Sequence, residues 1–220
     1  MNKIVPAIAA AAVLGAGAWY FSTTPGGAPG ATSFQVEAQE SSEADLSLVQ
    51  EMSMGNPDAD VTVIEYASFT CPHCRTFHDN VFDDLKENYI DSGKINFIYR
   101  EVYFDRYGLW AGMVARCAGP DRYFGIADLI YERQSEWAQG EPAQIAQNLR
   151  QIGKTAGLGD DQLDACLNDA AKAQALVATY EQNAAADNIR ATPSFVIDGE
   201  NYSNMNYADF SAILDEKLAD

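Results

Sequence analysis

The chain has 220 residues, of which 47% are apolar, 11% aromatic and 21% charged. At about 150 residues per domain this is one generous domain with appendages, apolar enough to bury a core, so a multidomain machine and wholesale disorder are excluded. The 14 Lys and Arg stand against 32 Asp and Glu, a net charge of -18 that no basic cluster relieves, so no nucleic acid or anionic membrane surface is expected as a partner.

Lys3 is the only early charge, and the run from Ile4 to Phe21 is uncharged and rich in Ala and Gly. Residues 1–21 read as an export segment. Its length falls between the apolar region of a cleaved signal and a minimal transmembrane helix of roughly 17 to 25 residues. Ala16-Gly17-Ala18 offers the small-x-small pattern of a cleavage site, whereas Trp19-Tyr20-Phe21 resembles the aromatic belt of a membrane anchor, and both readings stand. Residues 22–44, with Pro25-Gly26-Gly27 and Pro29-Gly30, read as a flexible spacer. Everything after it is expected in an oxidising compartment.

A folded domain is expected over 45–220. Val61 to Ser68 is β-branched and aromatic and predicts a buried strand. Phe77, Val81, Phe82, Leu85 and Tyr89 recur at helical spacing and predict a helix over about 72–89, and Ile95 to Arg100 predicts a second strand. The segment is therefore a βαβ unit whose strands are parallel through a right-handed crossover. From about 106 to 188 the pattern is helical, broken at Gly119-Pro120, Gly140-Glu141-Pro142 and Gly157-Leu158-Gly159, which predicts about four helices. Pro193 to Ile197, a turn at Asp198-Gly199 and Tyr202 predict a hairpin, and 207–218 a last helix. The plan is α/β: βαβ, a helical insert, then ββα.

Cys71-Pro72-His73-Cys74 falls where the first strand turns into the helix. A helix N-terminus has a partial positive charge and unpaired N–H groups, which favour a thiolate at Cys71. Pro72 presets φ for the first turn, and a protonated His73 adds positive charge beside the sulfur. A stabilised thiolate makes the disulfide a stronger oxidant, and Cys74, one turn inside, is the partner that closes the ring. A zinc site needs four grouped ligands, and the remaining cysteines are widely separated with only His73 and His78 to help, so no metal or cofactor is implied. A purely structural bridge gains little from closing so short a loop. His78, one turn beyond Cys74, reads as a partly exposed surface histidine outside the site.

Phe69-Thr70-Cys71-Pro72-His73-Cys74 and Thr192-Pro193-Ser194-Phe195 resemble the active site and cis-proline loop of the DsbA family of thiol:disulfide oxidoreductases, and the likeness covers about residues 45–220. The resemblance implies a thioredoxin fold with an inserted helical subdomain. It also implies that Pro193 follows a cis bond facing the two cysteines, leaving the backbone of Thr192 free to pair with a substrate strand. The same family places a buried acid six residues before the first cysteine. Glu65 holds that spacing, in the middle of an apolar strand where a carboxylate is desolvated, and the implied role is a proton relay to Cys74. An edge-strand glutamate pointing to water is the alternative.

Cys117 and Cys166 fall in two helices of the insert, and in an oxidising compartment two leftover cysteines most simply pair; two buried free thiols are the alternative. Tyr66, Phe69, Phe77, Tyr103 and Phe104 supply aromatic surface for a groove beside Cys71 or for the core. The resulting expectation is a monomeric periplasmic oxidase, soluble or tethered. It passes its disulfide to reduced, unfolded exported clients and is reoxidised by a DsbB-like quinone-linked membrane protein. A disulfide isomerase or reductase on the same scaffold and a non-catalytic, tethered client-binding module are the rival readings.

Overall fold

The computed structural model of the protein describes residues 44–219. The expected export segment, and the spacer up to residue 43, lie outside the described residues. Five strands build one sheet: β1 (Met52–Gly55), β2 (Val61–Ala67), β3 (Ile95–Glu101), β4 (Ser194–Ile197) and β5 (Glu200–Ser203), in the order β1-β3-β2-β4-β5. β2 and β3 are parallel, with Val61 opposite Ile95 and Ala67 opposite Glu101, and the other pairs are antiparallel. This is the expected βαβ and ββα arrangement, with β2 at its centre. A strand covered on both faces must be apolar almost throughout, which is why Val61 to Ala67 reads as a continuous run. Glu65 is therefore on a central strand, and the edge-strand alternative falls away.

β1 carries no β-branched residue and was not anticipated; it adds an antiparallel edge to β3. Gly55 ends it because a Cβ there would stand 2.4 Å from the Ile95 carbonyl oxygen, and its φ of +88° suits glycine. The β4–β5 turn uses Asp198 and Gly199, both at positive φ, in the manner of a tight hairpin. Asp198 Oδ1 also accepts from the Thr62 amide at 2.8 Å and pins the hairpin to β2.

The helical run from 72 to 90 is composite: α1 (Pro72–Phe77), a π turn (His78–Phe82), α2 (Asp83–Leu85) and a second π turn (Lys86–Ile90). Cys74, Phe77, His78, Val81, Phe82, Leu85 and Tyr89 keep helical spacing and face the core, and the wider π turns rotate the end of the run so that Ile90 is buried as well. Six helices fill the insert where about four were anticipated: α3 (Arg106–Arg116), α4 (Pro120–Glu132), α5 (Gln134–Trp137), α6 (Pro142–Thr155), α7 (Asp160–Leu167) and α8 (Ala170–Ala186). The extra breaks fall at Arg133 and at Asn168-Asp169, neither marked by Gly or Pro. Asp105 caps α3 by accepting from the Tyr107 and Gly108 amides, and Asp169 caps α8 through the Lys172 amide. α9 (Tyr207–Lys217) closes the fold, its Asn206 cap accepting from the Asp209 amide.

One apolar core joins the sheet to α3, α4 and α6 and includes Phe69, Phe97, Tyr131, Trp137 and Phe195. At the end of β3, Glu101 is buried and takes both Arg116 Nε (2.7 Å) and Nη2 (2.6 Å), with the Tyr123 hydroxyl donating as well at 2.8 Å. Cys117, at the end of α3, is bonded to Cys166 in α7 with a sulfur–sulfur distance of 2.09 Å.

Candidate active site

The turn from β2 into α1 is held from several sides. The Cys71 amide donates to the Ser68 carbonyl at 3.0 Å, and the Thr70 hydroxyl donates to Asp105, the cap of α3, at 3.0 Å. From α5, the buried Gln134 amide donates to the carbonyls of Phe69 (2.8 Å) and Cys71 (3.0 Å). The Ser68, Phe69 and Cys71 carbonyls, which the turn leaves without ladder partners, thus each find a donor. Cys71 becomes the N-cap of α1 in extended conformation, with Pro72 at the first helical position. His73 is exposed and points away from the core.

Both site cysteines are thiols. Cys71 retains 8% of its surface, whereas Cys74 retains none. This difference sorts their chemistry. The Cys71 thiol is drawn down to about 5, chiefly because the Cys74 sulfhydryl donates to its thiolate, against the opposing effect of partial burial. Further help comes from Thr192 and from the His73 and Cys74 amides at the helix start. Burial drives Cys74 the other way, well above an ordinary thiol, and the shared hydrogen bond with Cys71 adds to it. The pair is one acidic nucleophile at the surface and one sealed, protonated partner.

The Thr192–Pro193 bond is cis, and the Thr192 carbonyl oxygen lies 3.6 Å from Cys71 Sγ, across 121 residues of chain. Pro193 is buried just before β4. The structure thus brings Cys71, Pro72, His73, Cys74, Thr192 and Pro193 together at one end of the sheet. Glu65 lies deeper, fully buried on β2, its side chain facing His78 with Nε2 to Oε2 at 3.7 Å. His78 is not the partly exposed surface residue anticipated; one turn beyond the buried Cys74 on the same helical face, its ring lies inward, stacked on Tyr131 with ring centroids 4.1 Å apart. Tyr66, Phe69 and Phe77 belong to the core, and Phe104 is 59% exposed. Sequence reading gave no sign of Gln134, whose polar side chain is the common mark of a surface helix.

A family model described as Thioredoxin matches residues 47–216. The chain belongs to this thioredoxin family, in its DsbA-like branch. A Rickettsia bellii protein, named provisionally as a protein-disulfide oxidoreductase, is 32% identical over 169 residues, covering 76% of this chain and 64% of the relative. The chain thus spans a little under two thirds of that relative's length. The crystal structure of Wolbachia pipientis alpha-DsbA1 superposes with a TM-score of 0.69 at 29% identity, over 77% of this chain and 92% of that one. Disulfide bond formation protein D of Bacillus subtilis is 28% identical over 90 residues, covering 39% of this chain and 40% of that protein. The α/β architecture with a helical insert is the DsbA-like form of the thioredoxin fold.

Proposed function

We propose that this DsbA-like chain is a periplasmic oxidase that gives its Cys71/Cys74 disulfide to pairs of cysteines in reduced, unfolded exported proteins. The observation that carries the direction is the acidity of Cys71, drawn down to about 5 while Cys74 is held protonated. A thiolate stable at neutral pH stabilises the reduced protein. The disulfide form is then the one with free energy to give away, about 1.4 kcal/mol for every 30 mV of potential. Names of the relatives support the same class of chemistry, since the Rickettsia and Bacillus proteins are named for disulfide oxidoreduction and disulfide bond formation.

In the proposed cycle a client thiolate attacks Cys71 Sγ of the disulfide form. The Cys71–Cys74 bond breaks, its electron pair passes to Cys74, and a mixed disulfide joins client to Cys71. Attack at Cys71 rather than Cys74 follows from access, since only Cys71 reaches the surface. The client's second thiolate then attacks the client sulfur of the mixed disulfide, forming the client's bond and releasing Cys71 as a thiolate. Hydrogen bonds from the His73 and Cys74 amides make Cys71 a good leaving group. Pro193 and Thr192 flank the reacting sulfur and would present backbone to an extended client segment. Glu65 would relay the proton that Cys74 takes up.

In this reading residues 1–21 are an export signal or anchor and 22–44 a spacer ahead of this unit. A DsbB-like quinone-linked membrane protein would reoxidise it, a tether would hold it close to that partner, and one copy would suffice for the chemistry. The reduction potential of the purified protein in a glutathione buffer tests the direction. A value near about -120 mV makes it a donor of disulfides, and one near about -270 mV makes it a reductase and overturns the reading.

A further inference from the structure

Buried polar side chains are almost always hydrogen-bonded, so the exceptions call for a reason. Among the described residues, both carboxylate oxygens of Glu65 and Nε2 of His78 are buried without a hydrogen-bond partner, and these groups face each other at 3.7 Å. Leaving a carboxylate unpaired in a core is costly, and a Gln or Leu on β2 would avoid it. The helix turns the His78 imidazole inward on the face it shares with Cys74, at the start of a π turn over His78–Phe82. The ring is held there between Tyr131, at 4.1 Å between centroids, and Phe82, at 4.5 Å.

The surroundings of His78 are defined. Glu65 faces it from β2, Tyr99 from β3, and Tyr131 and Asp128 from α4, while Asp83 and Lys86 lie on its own helical run. The Tyr99 and Tyr131 hydroxyls are joined at 2.5 Å, and both are influenced by charge on Glu65 and on Cys74. Cys74, Glu65 and the two tyrosines therefore share one buried polar cluster. His78 is the member of its pair that meets water: 7% of its side chain is accessible, against none for Glu65.

We propose that His78 is the port through which Glu65 exchanges a proton with solvent when Cys74 is released and re-formed. The inference rests on the thiol–disulfide exchange proposed above. When a client thiolate attacks Cys71, the electron pair of the broken bond leaves Cys74 as a thiolate in a place that disfavours charge. The Glu65 carboxyl gives its proton to Cys74; His78 takes a proton from solvent and, as imidazolium, gives its Nε2 proton to the Glu65 carboxylate and returns to neutral imidazole. One proton enters from solvent, the thiolate becomes a thiol, and Glu65 and His78 end as they began. In reoxidation the proton leaves by the same route. Imidazole suits this place because its two ring nitrogens let it take a proton on one side and give one from the other. His78 acts through Glu65 and touches no substrate; its part is to position and replenish the proton.

The test is stopped-flow reduction of the disulfide form by a dithiol peptide from pH 5 to 8, for the full-length protein and its H78F, H78A and E65Q variants. His78→Phe keeps a ring against Tyr131. It should slow appearance of the reduced protein on the order of tenfold and flatten the pH profile. The doubly substituted protein should be no slower than E65Q alone, and added imidazole should restore H78A. A wild-type rate and profile in H78F overturns the proposal. If the substituted proteins fail to fold, ring resonances of His78 in the wild type decide: its titration should differ between the disulfide and dithiol forms, and superimposable curves overturn it. A wild type that does not oxidise the peptide at all refutes the proposed function instead, and the resonances still judge the port.

Discussion

Cys71 and Cys74 sit three positions apart and behave as different substances. Cys71 is lowered to about 5 from an ordinary 9.0 and Cys74 is raised, so the folded dithiol carries one thiolate at neutral pH. Because the folded value lies below the unfolded one, Cys71 ionisation stabilises the reduced protein fully above pH 9. That contribution shrinks as pH falls and is gone below about 5. The melting temperature of the dithiol form, measured against the disulfide form across this window, should therefore drop towards acid pH. The potential should fall with pH by about 30 mV per unit above this point and by about 59 mV per unit below it, because reduction then takes up two protons rather than one. A redox titration at several pH values reads the break directly. Gln134 is the second residue whose effect reaches the site. Q134L should cost about 1 to 3 kcal/mol, read from urea unfolding, because the buried Phe69 carbonyl loses the donor Gln134 gives it and the Cys71 carbonyl is left with the Arg75 amide alone. The alkylation rate of Cys71 in the same variant reports how far the turn then moves.

At the scale of elements, the buried Arg116–Glu101 pair joins the end of β3 to α3, and Arg116 Nη1 also donates to the Gln50 carbonyl at 2.7 Å. R116A strands the Glu101 carboxylate and should lose about 3 to 5 kcal/mol in denaturant unfolding. R116M with E101L restores much of it, because the cost lies in the uncompensated charge. Elements were legible in the sequence where burial imposed a period. β2, β3 and the run from 72 to 90 declare themselves through their apolar spacing, and the hairpin through Asp198-Gly199. β1 did not, since Met52-Ser53-Met54-Gly55 alternates over only four residues and has no β-branched or aromatic side chain to mark it as a strand. The breaks at Arg133 and Asn168 escaped because a helix can end on tertiary packing alone. Among site residues, Cys71 to Cys74 were readable because their chemistry lies within one helical turn. Thr192 and Pro193 lie 121 residues beyond in the case of Thr192 and came only through family likeness. His78 was misplaced although it follows Cys74 by one turn on the same helical face: histidine is more often exposed, and nothing local announced Glu65 and Tyr131 as its neighbours.

The whole molecule contains a second cysteine pair with a different task. Cys117 and Cys166 close a loop of 49 residues across the insert, far from the α1 turn in sequence. A bridge of that span removes denatured-state entropy worth about 4 kcal/mol in the chain-entropy account. Replacing both cysteines by Ser should lower the unfolding free energy by up to that amount, read in guanidinium, with disulfide transfer to a reduced peptide preserved below the melting point. Loss of transfer without loss of stability would mean that the insert is coupled to the reacting sulfur. The helical insert then serves as a frame whose own stability is set apart from the redox state of the site.

The contrast in accessibility between the two site sulfurs has a practical side. In the reduced protein two of the four cysteines are locked in a bond, a third is sealed and protonated, and one is a thiolate that just reaches the surface even in mildly acidic buffer. A soft electrophile applied at about pH 6, where ordinary thiols are almost wholly protonated, should mark Cys71 alone. The molecule is thus its own single-site handle for a fluorophore, an affinity tag or a covalent inhibitor, without any cysteine having to be engineered away.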